Sequence, residues 1–329
     1  MSEYKIAVVN SSSFGQVFKE HWTALERLGE VKRFMVPTDI DGKTLAETLH
    51  GYNVIIASVT PMFNAEFFAN KDELLLLSRH GIGFNNVDLN AAKAHGTKVT
   101  IVPQLVERNA VAENEFVNLL ALVRQVVPAA NSERNDHYED RAQFMGNEFS
   151  GKAFGVVGCG NIGSRVAELF SVFGGPVYVA DPNPKSSPEW FKNNNVERVD
   201  LDTLLAKCDY ISLNASLDDN SYHMIDAAKF ALLKPGAYIC NNGRGALVDE
   251  DALLAAIDAG TLAGYAADAV EVEPVRASHP FLNNDRILLT PHTSAYTYEC
   301  LRGMGEKCLS DVQNIINDAP LVRELTHTI

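Results

Sequence analysis

The chain has 329 residues, about twice an ordinary ~150-residue domain, which points to two domains. Lys and Arg number 28 against 42 Asp and Glu, a net charge of −14 that disfavours a nucleic-acid binder or a protein drawn to anionic membranes. A hydrophobic fraction of 46% with 21% charged residues suits a globular protein with a large core and excludes a disordered one.

In chain order, short apolar runs predict strands at 4–9 (YKIAVV), 31–36, 54–59 (VIIASV), 74–78 (LLLLS) and 98–102. Helix-length stretches such as 15–28 and 88–95 lie between them. After Pro103 the segment 109–127 reads as one long apolar helix, too apolar for a lone surface helix and expected between domains or subunits. A polar connector, 128–150, carries no strand signal. Strands are predicted again at 154–158 (FGVVG), 176–180, 210–214, 236–241, 263–267 and 287–290, with a closing helix around 296–317. Continuous apolar strands alternating with helices predict parallel sheets covered on both faces, so both halves read as doubly wound α/β units.

Some chemistry is excluded early. The five cysteines are scattered, odd in number and never spaced CxxC, so neither a disulfide framework nor a metal site is expected. The opening MSEYKIAVVN shows no secretory leader pattern, and no run of 18 apolar residues is present. A cytoplasmic protein without a membrane span is expected. Gly146–Ala153 resembles a P-loop, but Ala153 replaces the Mg²⁺-binding hydroxyl and the match precedes a strand, so it is set aside.

The sharpest signal is Gly158-Cys-Gly160-Asn-Ile-Gly163, after an apolar run and ahead of a helical pattern. In that setting Gly158 serves the tight turn, Gly160 the approach to a pyrophosphate and Gly163 close helix–strand packing. The helical pattern SRVAELFSVF that follows has an N-terminus whose free N–H groups suit the phosphates. Asp181 stands where the second strand ends, 23 residues after Gly158, placed to accept from ribose hydroxyls and to favour NAD over NADP. The remaining strand ends carry Asn214, Asn241 to Arg244, Asp268 and His292. Arg244 sits between Gly243 and Gly245, where bare backbone lets its fork face a small anion. Glu273 offers a carboxylate and His292 a proton donor.

These motifs resemble the D-isomer-specific 2-hydroxyacid dehydrogenase family. The likeness runs through 78–92 (SRHGIGFNNVDLNAA), 109–122, 149–164 (FSGKAFGVVGCGNIGS), 232–253, 263–274 and 279–292. It implies a cleft between two domains: 1–103 with 296–329 for substrate, flavodoxin-like, and 104–295 a Rossmann domain for NAD. It implies that Arg244, Glu273 and His292 are catalytic. It assigns the cofactor to Gly158, Gly160, Asn161, Ile162, Gly163, Asp181, Ala215, Ser216, Ser221, Asn242, Gly243, Arg244, Asp268 and His292. The loop His80, Gly81, Ile82 and Gly83, with Arg244, is implied to bind the substrate carboxylate. The implied activity is reversible hydride transfer between NADH and a small 2-oxo acid in a homodimer. Relatives that oxidise phosphite-like anions, or that act as NAD-sensing corepressors, are the alternatives. The sequence departs from the pattern at Asn214-Ala215-Ser216-Leu217-Asp218, where the family has His-x-Pro-Leu-Thr, and the connector lacks the usual tryptophan.

Overall fold

A computed structural model describes residues 4–184 and 186–327. They divide into two compact units: one runs up to Glu107 and resumes at Tyr296, and the other spans Arg108–Ala295. The first unit contains strands β1 (Lys5–Val9), β2 (Glu30–Phe34), β3 (Val54–Ala57), β4 (Leu76–Arg79) and β5 (Lys98–Thr100). They pair in parallel in the order β2-β1-β3-β4-β5, the flavodoxin-like winding. Every residue of β3 and β4 is buried, because helices cover both faces.

The second unit is a seven-stranded parallel sheet. Its strands are β6 (Phe154–Val157), β7 (Val177–Ala180), β8 (Val196–Arg198), β9 (Tyr210–Leu213), β10 (Ala237–Asn241), β11 (Leu262–Ala267) and β12 (Ile287–Leu289). The order is β12-β11-β10-β9-β6-β7-β8. Val157 is level with both Ala180 and Leu213, so the strands end together on either side of β6. The winding reverses between β6 and β9, and that reversal opens a crevice beyond their carboxyl ends. Strand β8 escaped the sequence reading because it is a three-residue edge strand with two exposed charged residues.

The long helix needs a correction. It runs Gln104–Val123 and stops, and a second helix covers Val126–Arg134. Between them Gln125 takes a left-handed backbone, φ +51°, and its amide holds the Met145 carbonyl at 2.7 Å. The apolar spacing continued through Val126 and Val127, but these are 52% and 43% exposed. Leu119 and Val123 instead pack within the second unit, in a cluster with Phe154 and Phe170.

The helix Tyr298–Ile316 belongs to the first unit, where Cys308 and Val312 pack with Ile6, Val8 and Leu76. Its buried Asp311 accepts from Ser78 Oγ on β4 (2.8 Å), Thr100 Oγ1 on β5 (2.6 Å) and the Lys307 ammonium. Replacing Asp311 by Ala leaves the Lys307 ammonium, with only 8% of its side chain exposed, without a counter-charge. The expected loss is about 3–5 kcal/mol of unfolding free energy in urea titration. A loss under about 1 kcal/mol would mean that the network does not anchor this helix.

Candidate active site

The glycine turn follows β6. Gly158 adopts φ +86°, and a Cβ there would lie 2.7 Å from the Ala215 amide nitrogen. A Cβ on Gly163 would lie 1.9 Å from the Gly158 carbonyl oxygen, so only glycine lets the helix Asn161–Ser171 pack this close to the turn. At Gly160 no atom lies within 4 Å of a built Cβ, which leaves an open approach for a ligand. Gly160 is also the helix N-cap and has no side-chain cap, so the helix start keeps amide donors for an anion. Arg108 secures this helix start: its Nε donates to the Asn161 carbonyl at 3.1 Å while its fork pairs with Glu168.

Asp181 ends β7. Its carboxylate accepts from the Cys159 amide (2.6 Å) and the Asn183 amide (2.7 Å), which ties it to the glycine turn. Beside it lies a cavity of about 820 Å³, lined by Val157, Ala180, Pro182, Arg198 and Thr203 among others. Arg198, on the overlooked β8, donates to the carbonyls of Asp181 and Pro182 at 3.1 and 2.7 Å. Two valines flanking Glu197 and Arg198 ahead of Asp200 were its only sequence signal. Ala215 is half-buried and Ser216 exposed, and Ser221 closes their loop by donating to the Ser216 carbonyl at 2.7 Å. The cradle at Gly160, the capless helix start and the carboxylate at the second strand end fit a dinucleotide.

The ends of β10 to β12 build a second cluster. Buried Asn241 accepts from the Gly243 amide (3.0 Å) and donates to the Arg244 carbonyl (3.0 Å), which shapes the backbone under Arg244. Arg244 itself gives one donor to the Gly243 carbonyl at 2.8 Å. His292 Nδ1 meets Glu273 Oε2 at 2.8 Å, with 36% and 28% of the two side chains exposed. Neighbouring Glu271 is engaged elsewhere, by Tyr222 and His223, so only Glu273 serves the imidazole.

His292 has φ +53°, a left-handed conformation unusual for a side chain of this size. Asp268 holds it there. Its carbonyl accepts from the His292 amide at 3.0 Å. Its buried carboxylate takes Thr290 Oγ1 (2.5 Å), the Thr293 amide (2.9 Å), the Ser294 amide (2.7 Å) and the Ser294 hydroxyl. The hydrogen bond to Glu273 is the largest influence on the imidazole and raises its pKa above the ordinary 6.5. Burial opposes it, the Glu273 charge adds to it, the Arg244 charge opposes it and Asp268 adds to it, leaving the pKa raised.

The loop after β4 lies in the first unit. His80 is buried against Phe14, and desolvation first, then the Arg79 charge, push its pKa down to about 3. A neutral imidazole is the result. Buried Arg79 donates to the Gly83 and Ala57 carbonyls and fixes the loop from beneath. The Ile82 amide donates to the Glu107 carboxylate at 2.8 Å. Sequence reasoning did not anticipate that carboxylate.

It also missed the polar residues inside the long helix. Glu115 is fully buried, and desolvation raises its pKa to about 8, against the hydrogen bond from Ser212 Oγ at 2.7 Å. Asn118 is 5% exposed. The apolar average of the segment concealed both. Among the described residues no group of three His, Cys, Asp or Glu could hold a metal ion, and no helix is long and apolar enough to cross a membrane.

Residues 116–294 match the family model for the D-isomer specific 2-hydroxyacid dehydrogenase, NAD binding domain. The glyoxylate reductase of Thermococcus litoralis is 31% identical over 289 residues, 86% of each chain. D-lactate dehydrogenase from Escherichia coli superposes with a TM-score of 0.82 at 28% identity, covering 98% of this chain and 99% of that one. D-lactate dehydrogenase from Aquifex aeolicus, solved with NAD and lactic acid, gives a TM-score of 0.82 at 25% identity over 95% and 96% of the two chains.

The geometry at His292 predicts its titration. Followed by NMR, the imidazole of the unaltered protein titrates above 6.5. Glu273→Gln keeps the shape, removes the charge and moves that titration to lower pH. A midpoint that does not move would separate Glu273 from the proton chemistry.

Proposed function

The chain belongs to the D-isomer-specific 2-hydroxyacid dehydrogenases, and from that premise we propose that it interconverts a small 2-oxo acid and its D-2-hydroxy acid with NAD. The observation that carries this reading is the 2.8 Å contact between His292 and Glu273, on a turn that Asp268 locks in place. The second unit holds the cofactor: the helix start at Gly160, Asn161 and Ile162 takes the pyrophosphate, and Asp181 takes the ribose hydroxyls. NADH, when bound, supplies the hydride for reduction, and NAD⁺ accepts it for oxidation.

The remaining steps belong to the chain's own side chains. Arg244 presents its fork to the substrate carboxylate and polarises the keto oxygen. His292, as imidazolium, passes its Nε2 proton to that oxygen as the carbonyl carbon gains hydride, and the product is a 2-hydroxy acid. Glu273 orients the ring through Nδ1 and stabilises the charged form. Oxidation runs the same path backwards, with neutral His292 accepting the proton. Five unpaired, buried cysteines suit a reducing compartment, and we place the enzyme in the cytoplasm.

We also infer a homodimer. Val117, Val126, Val127, Tyr138 and Met145 stand between 43% and 81% exposed within residues 117–145 of the second unit, and a second copy of the chain would cover them.

A panel of 2-oxo acids with NADH, including glyoxylate and pyruvate, tests the activity, and turnover of none of them would overturn it. Arg244→Lys keeps the charge and loses the paired donors. It should cost at least ~10-fold in kcat/KM, about 1.4 kcal/mol of transition-state stabilisation, with NADH binding nearly unchanged. NADH affinity falling in step with catalysis would make the cofactor, and not the substrate carboxylate, the group that Arg244 chiefly serves. Sedimentation should give twice the 36.0 kDa chain mass. Val126→Asp with Val127→Asp should shift that species toward monomer, and a monomer in the unaltered protein would refute the dimer. Leu119 is unsuited to this test, being fully buried in the core.

A further inference from the structure

The turn that carries His292 is tied to the long helix by a closed ring of side-chain hydrogen bonds. At one pole the Asp268 carboxylate, 2% exposed, accepts from the hydroxyls of Thr290 and Ser294, on either side of His292. At the other pole is Asn114, on the helix Gln104–Val123. Two amides join the poles. Asn242, after β10, donates from Nδ2 to Ser294 Oγ (3.0 Å) and to Asn114 Oδ1 (2.9 Å). Asn118, one helical turn beyond Asn114, donates from Nδ2 to Thr290 Oγ1 (3.4 Å) and to Asn114 Oδ1 (2.9 Å).

The direction of every bond follows from one fact. An ionised carboxylate only accepts, and each hydroxyl has a single hydrogen, which goes to the stronger, charged acceptor. Ser294 Oγ also lies 3.2 Å from Asn114 Oδ1, but its hydrogen is committed to Asp268. Both hydroxyl oxygens must then receive from the amide groups. Each amide has one further hydrogen, and both of these converge on Asn114 Oδ1. The ring has one consistent arrangement, so it sets the rotamers of Asn114, Asn118 and Asn242 as well as the turn.

We propose that Asn114 is a positioning residue for the proton donor: as the single acceptor for both amides, it holds the ring that fixes Thr290 and Ser294, and thereby His292, in register with Glu273. This goes beyond the assignment of His292 as proton donor and rests on it. The charged groups that bear on the imidazole are Glu273, Arg244 and Asp268. Asn114 acts through the last of them. Without its oxygen, two amide donors lose their partner, the turn gains freedom and the contact between His292 and Glu273 loosens.

The test compares Asn114→Leu, which is nearly isosteric and accepts nothing, with Asn114→Asp, which keeps an acceptor. Asn114→Leu should lower kcat for reduction at neutral pH at least ~10-fold and bring the His292 titration down toward 6.5. Asn114→Asp should keep kcat within about 3-fold and keep the titration at or above that of the unaltered protein. Should Asn114→Leu fail to fold, Asn118→Ala cuts one arm of the ring and should lower the same titration. Equal damage in the Leu and Asp variants would overturn the proposal. So would a His292 midpoint unmoved in the variants that open the ring. The titration is read by NMR in substrate-free protein, so it reports on the ring even if no 2-oxo acid is turned over.

Discussion

A buried carboxylate with four donors holds the turn that carries His292. Asp268 follows directly on the end of β11 and is 2% exposed. Its two oxygens collect two hydroxyls and two backbone amides from the segment 290–294. Burying a charge is costly unless it is fully hydrogen-bonded, and here each donor comes from the turn that must be held. The same bonds hold His292 at φ +53°, a conformation that costs of order 1 kcal/mol outside such a setting.

The imidazole is then governed by charge and distance. Glu273 reaches Nδ1 and leaves Nε2 outside that contact. Arg244 pulls the pKa down while Glu273 and Asp268 pull it up, so the ring stays chargeable beside a guanidinium. The neighbouring acid Glu271 is spent on Tyr222 and His223 at the surface. Two carboxylates two residues apart therefore have different work, and only their surroundings separate them.

The dinucleotide turn was legible because its physics is local. Gly158, Gly160 and Gly163 each answer a constraint set by atoms within a few residues or on the adjoining strand, so spacing alone exposes them. The strand ends of a parallel sheet are likewise predictable, since apolar runs mark the strands and the chemistry follows each one. Asp181, Asp268 and His292 were placed just beyond strand ends that way, where the structure has them. Strand β8 was not, because an edge strand needs little apolar surface, and Arg198 went unseen with it. The long helix was overextended for a related reason: Val126 and Val127 keep its spacing without entering the core.

By itself, then, the sequence determined the alternation of strands and helices, the glycine turn and the identity of the groups at the strand ends. These depend on short-range sterics and on periodic burial, which a linear string records. The partners of those groups were decided only by the fold. Asn114 and Asn118 carry an i, i+4 spacing that hints at a shared face, yet nothing in the string says that this face meets Thr290 and Ser294 about 170 to 180 residues later. Glu107 reaching the Ile82 amide, and Glu115 pushed up to about 8 beside Ser212, belong with them. Hydrogen bonds act over about 3 Å and depend on direction, so they exist only once packing has brought distant segments together.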